Sequence, residues 1–224
     1  MGATVVADRA SAEGYVAMVC FKTGPPRRLG AELEWTVHHR DDPTRQLDPT
    51  TLVAALGEHT PSTLRGDSPH VPLPHGGIVT LEPGGQVEIS TPPHESLAEL
   101  LSASAADAEQ LVSLLSAADL RLGDQGCDPH RSTRRIIDTP RYAAMEHAFD
   151  RLGRHGRVMM CGTASVQVCL DAGTADRVRA RWDAVHAIGP ALLAAFANSP
   201  RRAGSGGGWA SERMRTWFGV DSSL

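Results

Sequence analysis

Pro83-Gly84-Gly85 lies between two short runs of alternating residues, and this stretch narrows most sharply what the chain can fold into. Proline presets φ and glycine supplies positive φ, which is the chemistry of a tight turn. Ile78 to Glu82 before it and Gln86 to Ser90 after it read as two strands joined by that turn, an antiparallel hairpin. On the second strand Gln86, Glu88 and Ser90 share one face, and Val87 and Ile89 the other. A polar face with oxygen ligands thus stands beside a tight turn, although an ordinary hairpin with a solvated face has the same pattern. As a string, Glu-Pro-Gly-Gly-Gln-x-Glu is the most specific feature of the chain.

Leu29 to His38 reads as another strand, and Arg157 to Asp171 as a region that is mainly strand. Helices are expected over residues 8–20, from Asp48-Pro49 to Gly57, over 97–118, from Thr139-Pro140 to Gly153, and over 175–198. Asp48 and Thr139 are the capping residues of their helices, each followed by proline at the first helical position. Ser96 and Glu99 have capping-box spacing for the 97–118 helix. Its apolar positions include Leu97, Leu100, Leu101, Leu111, Leu114 and Leu115. The 175–198 helix is amphipathic, with Val178, Trp182, Val185, Leu192 and Phe196 along one side, and Pro190 is expected to kink it. Residues 59–77 and 119–139 read as irregular, and the glycine run at 204–208 as a mobile loop within a flexible segment 201–208. Strands and helices mix without regular βαβ alternation, so the fold class is α+β with an antiparallel sheet, in a single domain over 1–224.

The 224 residues allow one sizeable core or two small ones, and the net charge of −4 comes with no basic block, so nucleic acid and anionic membrane are not indicated as partners. No apolar stretch approaches a membrane span, and residues 1–10 lack the apolar region of a secretory leader. A cytoplasmic protein is expected. Its four cysteines, Cys20, Cys127, Cys161 and Cys169, have no zinc spacing and read as reduced, mostly buried residues. The ten histidines are scattered and read as surface residues.

The candidate chemistry is carboxylate chemistry. Glu32 and Glu34 are two apart on a strand and point the same way. Carboxylates sharing a space repel unless a cation lies between them, and hard oxygen ligands suit Mg2+. The plainer alternative is two glutamates on the wet face of an amphipathic strand. On the strand near Thr163 to Asp171, Gln167 offers a neutral amide oxygen beside Ser165, Cys169 and Asp171; a sandwiched strand with incidental polar groups is the alternative. Ser211-x-Arg213-x-x-x-Trp217 offers guanidinium groups suited to carboxylate or phosphate; a basic loop after a helix end is the alternative. Walker, nucleotide-fingerprint and nucleophile-elbow motifs are missing, and Gly204 to Gly208 lacks the lysine of a phosphate loop.

In this order the strings resemble the glutamate–cysteine ligase family of plants and actinobacteria. The strings are Gly30-x-Glu32-x-Glu34, Glu82 to Ser90, Arg141-Tyr142, Thr163 to Asp171, Asn198-Ser199-Pro200 and Ser211 to Trp217. The similarity runs over nearly the whole chain and is nearest to the actinobacterial branch that supplies γ-glutamylcysteine for ergothioneine. It implies a curved antiparallel sheet with helices packed on its outer face, a glutamine-synthetase-like catalytic fold. It also implies a site on the concave face, where carboxylates hold magnesium against the phosphates of ATP. By resemblance Glu32, Glu34, Glu82 and Glu88 are metal ligands, Gln167 is a further metal or nucleotide contact, and Arg213 contacts phosphate or substrate. Glu32, Glu34 and Glu88 form the implied catalytic core.

Chains of the family are about twice as long, whereas this one stops at Val220-Asp221-Ser222-Ser223-Leu224. An N-terminal half is therefore expected, with the other half supplying more strands, further ligands and basic residues. Cys169 stands where the family has asparagine. The implied reaction is ligation of L-glutamate to L-cysteine at the expense of ATP, through a γ-glutamyl phosphate. Two alternatives stand beside it: a ligase coupling glutamate to another amine, and a non-catalytic fragment that binds metal or nucleotide.

Overall fold

The computed structural model describes residues 7–20 and 22–220. Residues 1–6, 21 and 221–224 lie outside the described residues.

The hairpin forms as its turn chemistry dictates. β3 (Ile78–Leu81) and β4 (Val87–Ser90) pair antiparallel, with Thr80 opposite Glu88 and Leu81 opposite Val87. Gly85 has φ of 85°, a left-handed conformation that favours glycine. β1 (Leu29–Trp35) lies along the other edge of β4, and β6 (Val166–Leu170) along the other edge of β1. The result is a four-stranded, all-antiparallel sheet in the order β3-β4-β1-β6.

Alternation separates the two faces of this sheet. Val79, Leu81, Val87 and Ile89 are buried, and their face is covered by α2 (Pro49–Leu56) and α3 (Leu97–Ala117). Leu52, Leu56, Leu111 and Leu115 from those helices are fully buried in the same core. α2 starts where Asp48 accepts the Thr50 backbone N–H, with Pro49 next in line. α3 starts where Ser96 accepts the Glu99 backbone N–H at 3.2 Å. Of the expected apolar positions on α3, Leu97 and Leu101 are exposed while Leu100, Leu111 and Leu115 are buried. The charged and polar residues of β1 and β4 occupy the opposite face. The architecture is thus α+β, with an antiparallel sheet backed by helices.

Five expectations are corrected. The strand expected over Leu29 to His38 is two strands: after Trp35 the chain leaves the main sheet, and β2 (Val37–His39) pairs with β5 (Leu120–Leu122). The buried Thr36 marks the switch, its carbonyl accepting the Gly123 N–H at 2.7 Å. β5 itself lies in a stretch read as irregular. The region from Arg157 is not strand up to Gly162. It is α5 (Arg154–Gly162), packed on α4 (Pro140–Asp150) through Gly156, whose position leaves no room for a Cβ against Phe149. The histidines are not all at the surface: His38, His39 and His59 are buried. Burial pushes His38 down to about 4, so it is neutral at pH 7, with Nε2 hydrogen-bonded to Thr36 Oγ1 at 3.0 Å. Finally, two cysteines are buried and two exposed: Cys127 and Cys161 lie inside, Cys20 and Cys169 outside, all as free thiols.

α1 (Arg9–Cys20) and α6 (Val178–Phe196) form where helical periodicity places them, but neither has a buried residue. Pro190 lies inside α6 without ending it. The glycine run contributes to a short hairpin, β7 (Arg201–Arg202) with β8 (Ser205–Gly206), before α7 (Glu212–Phe218). Among the described residues no helix is long and apolar enough to cross a membrane.

Candidate functional site

The register of the sheet builds the site. β1 and β4 pair so that Glu34 faces Glu88 and Glu32 faces Ser90, and β1 and β6 pair so that Glu32 faces Gln167. Glu82 follows directly on β3 at the mouth of the turn, where its N–H donates to the Gln86 carbonyl at 2.9 Å and its carbonyl accepts from Gly85 at 2.8 Å. Glu34, Glu82 and Glu88 each present a carboxylate oxygen, and these oxygens lie within 4.8 Å of one another. Glu32 stands on the same face one step along β1, outside that triad.

The turn is locked from below. Gln86 is buried, its Oε1 accepting the Gly84 N–H at 3.0 Å and its Nε2 donating to the carbonyls of Met160 and Thr163 at 3.3 and 2.9 Å. A Cβ on Gly84 would collide with the carbonyl of Cys161, so only glycine lets the turn sit this close to the end of α5. Gln86 is therefore a fastening for the hairpin rather than an open polar group of the site.

Neutral donors hold two of the carboxylates in place. Glu88 Oε1 accepts the hydroxyls of Thr80 at 2.6 Å and Ser90 at 2.8 Å. Glu34 Oε2 accepts the Ser165 N–H at 2.9 Å and its hydroxyl at 3.1 Å, and Glu34 Oε1 accepts Gln167 Nε2 at 2.6 Å. Gln167 is exposed, and with its nitrogen turned to Glu34 its amide oxygen is free to face a ligand.

Crowding and burial disfavour the charged forms. Glu82 is pushed up to about 7, first by burial and then by the charges of Glu34 and Glu88, with Arg141 opposing. Glu34 is raised by burial and by Glu88, against the pull of the Ser165 hydrogen bonds and the Arg213 charge. Glu32 is raised by partial burial and by Glu88. A converging set of hard carboxylate oxygens that repel one another is the donor set a divalent cation of the Mg2+ type fits.

Arg213 comes from the first turn of α7, where Ser211 accepts the Met214 N–H at 3.1 Å. Its backbone N–H donates to Ser199 Oγ at 3.3 Å, and its guanidinium lies 5.8 Å from the Trp217 ring centre. The side chain is largely buried with Nε unpartnered, and burial lowers its proton affinity while Glu34 raises it. Asn198 anchors the same corner, its Oδ1 accepting the Gly126 N–H at 3.2 Å and its Nδ2 donating to the Asp124 carbonyl at 3.3 Å.

Glu34, Glu82 and Glu88 are thus brought together, Glu32 and Gln167 stand beside them, and Arg213 approaches through Glu34. Thr80 and Arg141 were not among the expected site residues. Thr80 was within reach of sequence reasoning, because hairpin register about Pro83-Gly84-Gly85 places it opposite Glu88. Arg141 acts on Glu82 from α4, a tertiary placement that the Arg141-Tyr142 string marked without giving it that role.

Comparison with known proteins matches residues 28–223 to the model of Glutamate-cysteine ligase family 2. A glutamate–cysteine ligase EgtA of Mycolicibacterium smegmatis is 38% identical over 227 aligned positions, taking in 99% of this chain and 51% of that protein. A glutamate–cysteine ligase EgtA of Mycobacterium tuberculosis is also 38% identical, over 97% of this chain and 48% of its own length. A chloroplastic glutamate–cysteine ligase of Nicotiana tabacum is 32% identical over 65% of this chain and 28% of its own length. The chain spans about half the length of the bacterial relatives it matches. With a family match over most of its residues, the chain belongs to glutamate-cysteine ligase family 2.

Proposed function

We propose that this chain is a metal- and nucleotide-handling half of an ATP-dependent ligase that joins the γ-carboxyl of L-glutamate to the amine of L-cysteine. The observation that carries the reading is the convergence of Glu34, Glu82 and Glu88 on one face of the sheet. Family membership supplies the substrate class, and the bacterial relatives are glutamate–cysteine ligases by name. The finer architecture proposed with it is a glutamine-synthetase-like curved sheet in one partial catalytic domain over 1–224. γ-Glutamylcysteine would be the product, as in the ergothioneine branch that the motifs resemble.

Glu34, Glu82 and Glu88 would hold Mg2+, with Glu32 and the Gln167 amide oxygen as further ligands beside them. When bound, the metal supplies positive charge that offsets the triphosphate and the γ-carboxylate. Thr80 and Ser90 hold the Glu88 carboxylate through its Oε1. Ser165 and Gln167 fix the Glu34 carboxylate in the same way. Arg213, half-buried with an unpartnered Nε, would meet a phosphate or carboxylate oxygen. A carboxylate is a poor acyl donor, so the γ-carboxylate is first phosphorylated. The cysteine amine then displaces phosphate, with no protein nucleophile needed.

The test is ADP release with Mg2+, ATP and glutamate, with and without cysteine, by this chain and by this chain supplied with the other half of a family member. Cysteine-stimulated release with γ-glutamylcysteine as product supports the ligase. Release that responds equally to unrelated amines replaces it with a glutamate–amine ligase of another acceptor.

A further inference from the structure

Glu212 is a buried carboxylate that the proposed reaction does not use. It is 2% exposed, at the start of α7 and next in sequence to Arg213. Its Oε2 accepts Arg215 Nε at 2.9 Å and lies 3.9 Å from Arg202 Nε on β7. Its Oε1 is buried with no hydrogen-bond partner, and so is Arg202 Nε. A carboxylate is costly to bury unless it is paired. Here one partner belongs to its own helix and the other to the hairpin that precedes it.

The hairpin and α7 close around this carboxylate as a strap. At its base the Ser199 N–H donates to the Ala210 carbonyl at 3.1 Å, and the Ser199 carbonyl accepts the Glu212 N–H at 2.7 Å. Its tip is tied down where the N–H groups of Ala203 and Gly204 donate to the carbonyls of Asp128 and Pro129 at 3.0 and 2.7 Å. Gly207 then passes directly over Glu212, and a Cβ there would collide with Oε1. The glycine run, which lacks the lysine of a phosphate loop, thus lets the chain cover a buried carboxylate closely. The other end of α7 is fixed separately, since a Cβ on Gly219 would strike the His155 ring of α5. From the start of α7 the Arg213 side chain runs past Gly126, where a Cβ would lie 3.4 Å from Arg213 Cδ. The charges of Arg213 and Glu34 act on each other.

We propose that Glu212 is a positioning residue, which draws the 201–208 hairpin and the first turn of α7 together and so sets where the Arg213 guanidinium stands relative to Glu34. The proposal rests on the ligase reading, in which Arg213 meets a phosphate or carboxylate oxygen. Arg213 Nε has no hydrogen-bond partner. The place of the guanidinium therefore depends on where its backbone is held and on the Trp217 ring, whose centre is 5.8 Å away. One peptide bond joins that backbone to Glu212, so a displaced Glu212 carries Arg213 with it. Groups that orient a recognition side chain are as much a part of its precision as the side chain itself.

The experiment compares the full chain with Glu212→Gln, Gly207→Ala and Arg213→Ala. It reads the Trp217 indole N–H resonance, amide exchange over 201–208, and affinity for ATP with Mg2+ and for L-glutamate by calorimetry. Glu212→Gln removes the charge, whereas Gly207→Ala keeps it and pushes the hairpin away. Both should shift the Trp217 resonance and speed exchange over 201–208 by about tenfold. Both should also weaken, by about tenfold, whichever ligand Arg213→Ala weakens. In the Arg213→Ala background they should weaken it no further. Losses that simply add, or an unmoved Trp217 resonance, overturn the proposal and leave Glu212 a packing role. If Glu212→Gln does not fold, Gly207→Ala and the milder Arg202→Gln decide by the same readings. A shifted resonance with no Arg213-dependent binding of either ligand refutes the role of Arg213 in the ligase reading and upholds the anchoring by Glu212. Arg213-dependent binding that Glu212→Gln and Gly207→Ala leave intact refutes this inference alone.

Discussion

Glu34 and Glu88 face each other as direct cross-strand partners of β1 and β4, each held by neutral donors rather than by a cationic side chain. Like charges directly opposite on a sheet are destabilising. The arrangement is intelligible as a site whose repulsion a cation relieves.

Glu88→Gln should therefore separate stability from binding. Removing one charge of the pair should leave the metal-free chain as stable or more stable, by roughly 0.2–1 kcal/mol. The rise in Tm on adding Mg2+ or Mn2+ should largely vanish. Thermal melts with and without metal check this, and an undiminished metal-induced rise in the variant would remove Glu88 from the site.

Glu82 sets the pH dependence. Its carboxyl is raised from 4.5 to about 7, so between those values the folded chain retains a proton that the unfolded chain releases. Its contribution to the stability of the metal-free protein should fall as pH rises through that window and level off above about 7. Metal affinity should move the opposite way, strengthening as the proton leaves. Melts and Mn2+ titrations from pH 5 to about 8 would show both slopes; if Glu82→Gln keeps them unchanged, another group is responsible.

Thr80 should act as a positioning residue for Glu88. A hydrogen bond to a charged group contributes about 1.5–3 kcal/mol. Thr80→Val is thus expected to weaken Mn2+ binding by about tenfold, with Thr80→Ser restoring it. A loss of Tm that serine does not rescue, with metal affinity intact, would assign Thr80 a packing role only.

The core should be unevenly sensitive. Leu115 is fully buried under the sheet, and Leu115→Ala should cost about 2–5 kcal/mol in denaturant unfolding. Leu192→Ala, on the exposed stripe of α6, should cost the isolated chain less than about 0.5 kcal/mol. Comparable losses at the two positions would show that α6 packs against its own chain in solution.

The sequence by itself determined what depends on near neighbours. Pro83-Gly84-Gly85 dictated the hairpin, alternation put Glu88 and Ser90 on one face, and Asp48, Ser96 and Thr139 capped the helices they precede. Resemblance to the family named the glutamates. Tertiary structure decided the rest, because register and burial depend on which surfaces meet. Ser165 reaches Glu34 across 131 residues of sequence, and nothing local announces that bond. The stretch from Arg154 to Gly162 became helix, because Gly156 lets it lie against Phe149 of α4. His38 and His39 went inside because β2 left the main sheet to pair with β5. The apolar stripe of α6 was legible as a pattern, but a pattern states only that a face is apolar. Whether it is covered depends on a partner surface, and the described residues of this chain do not supply one.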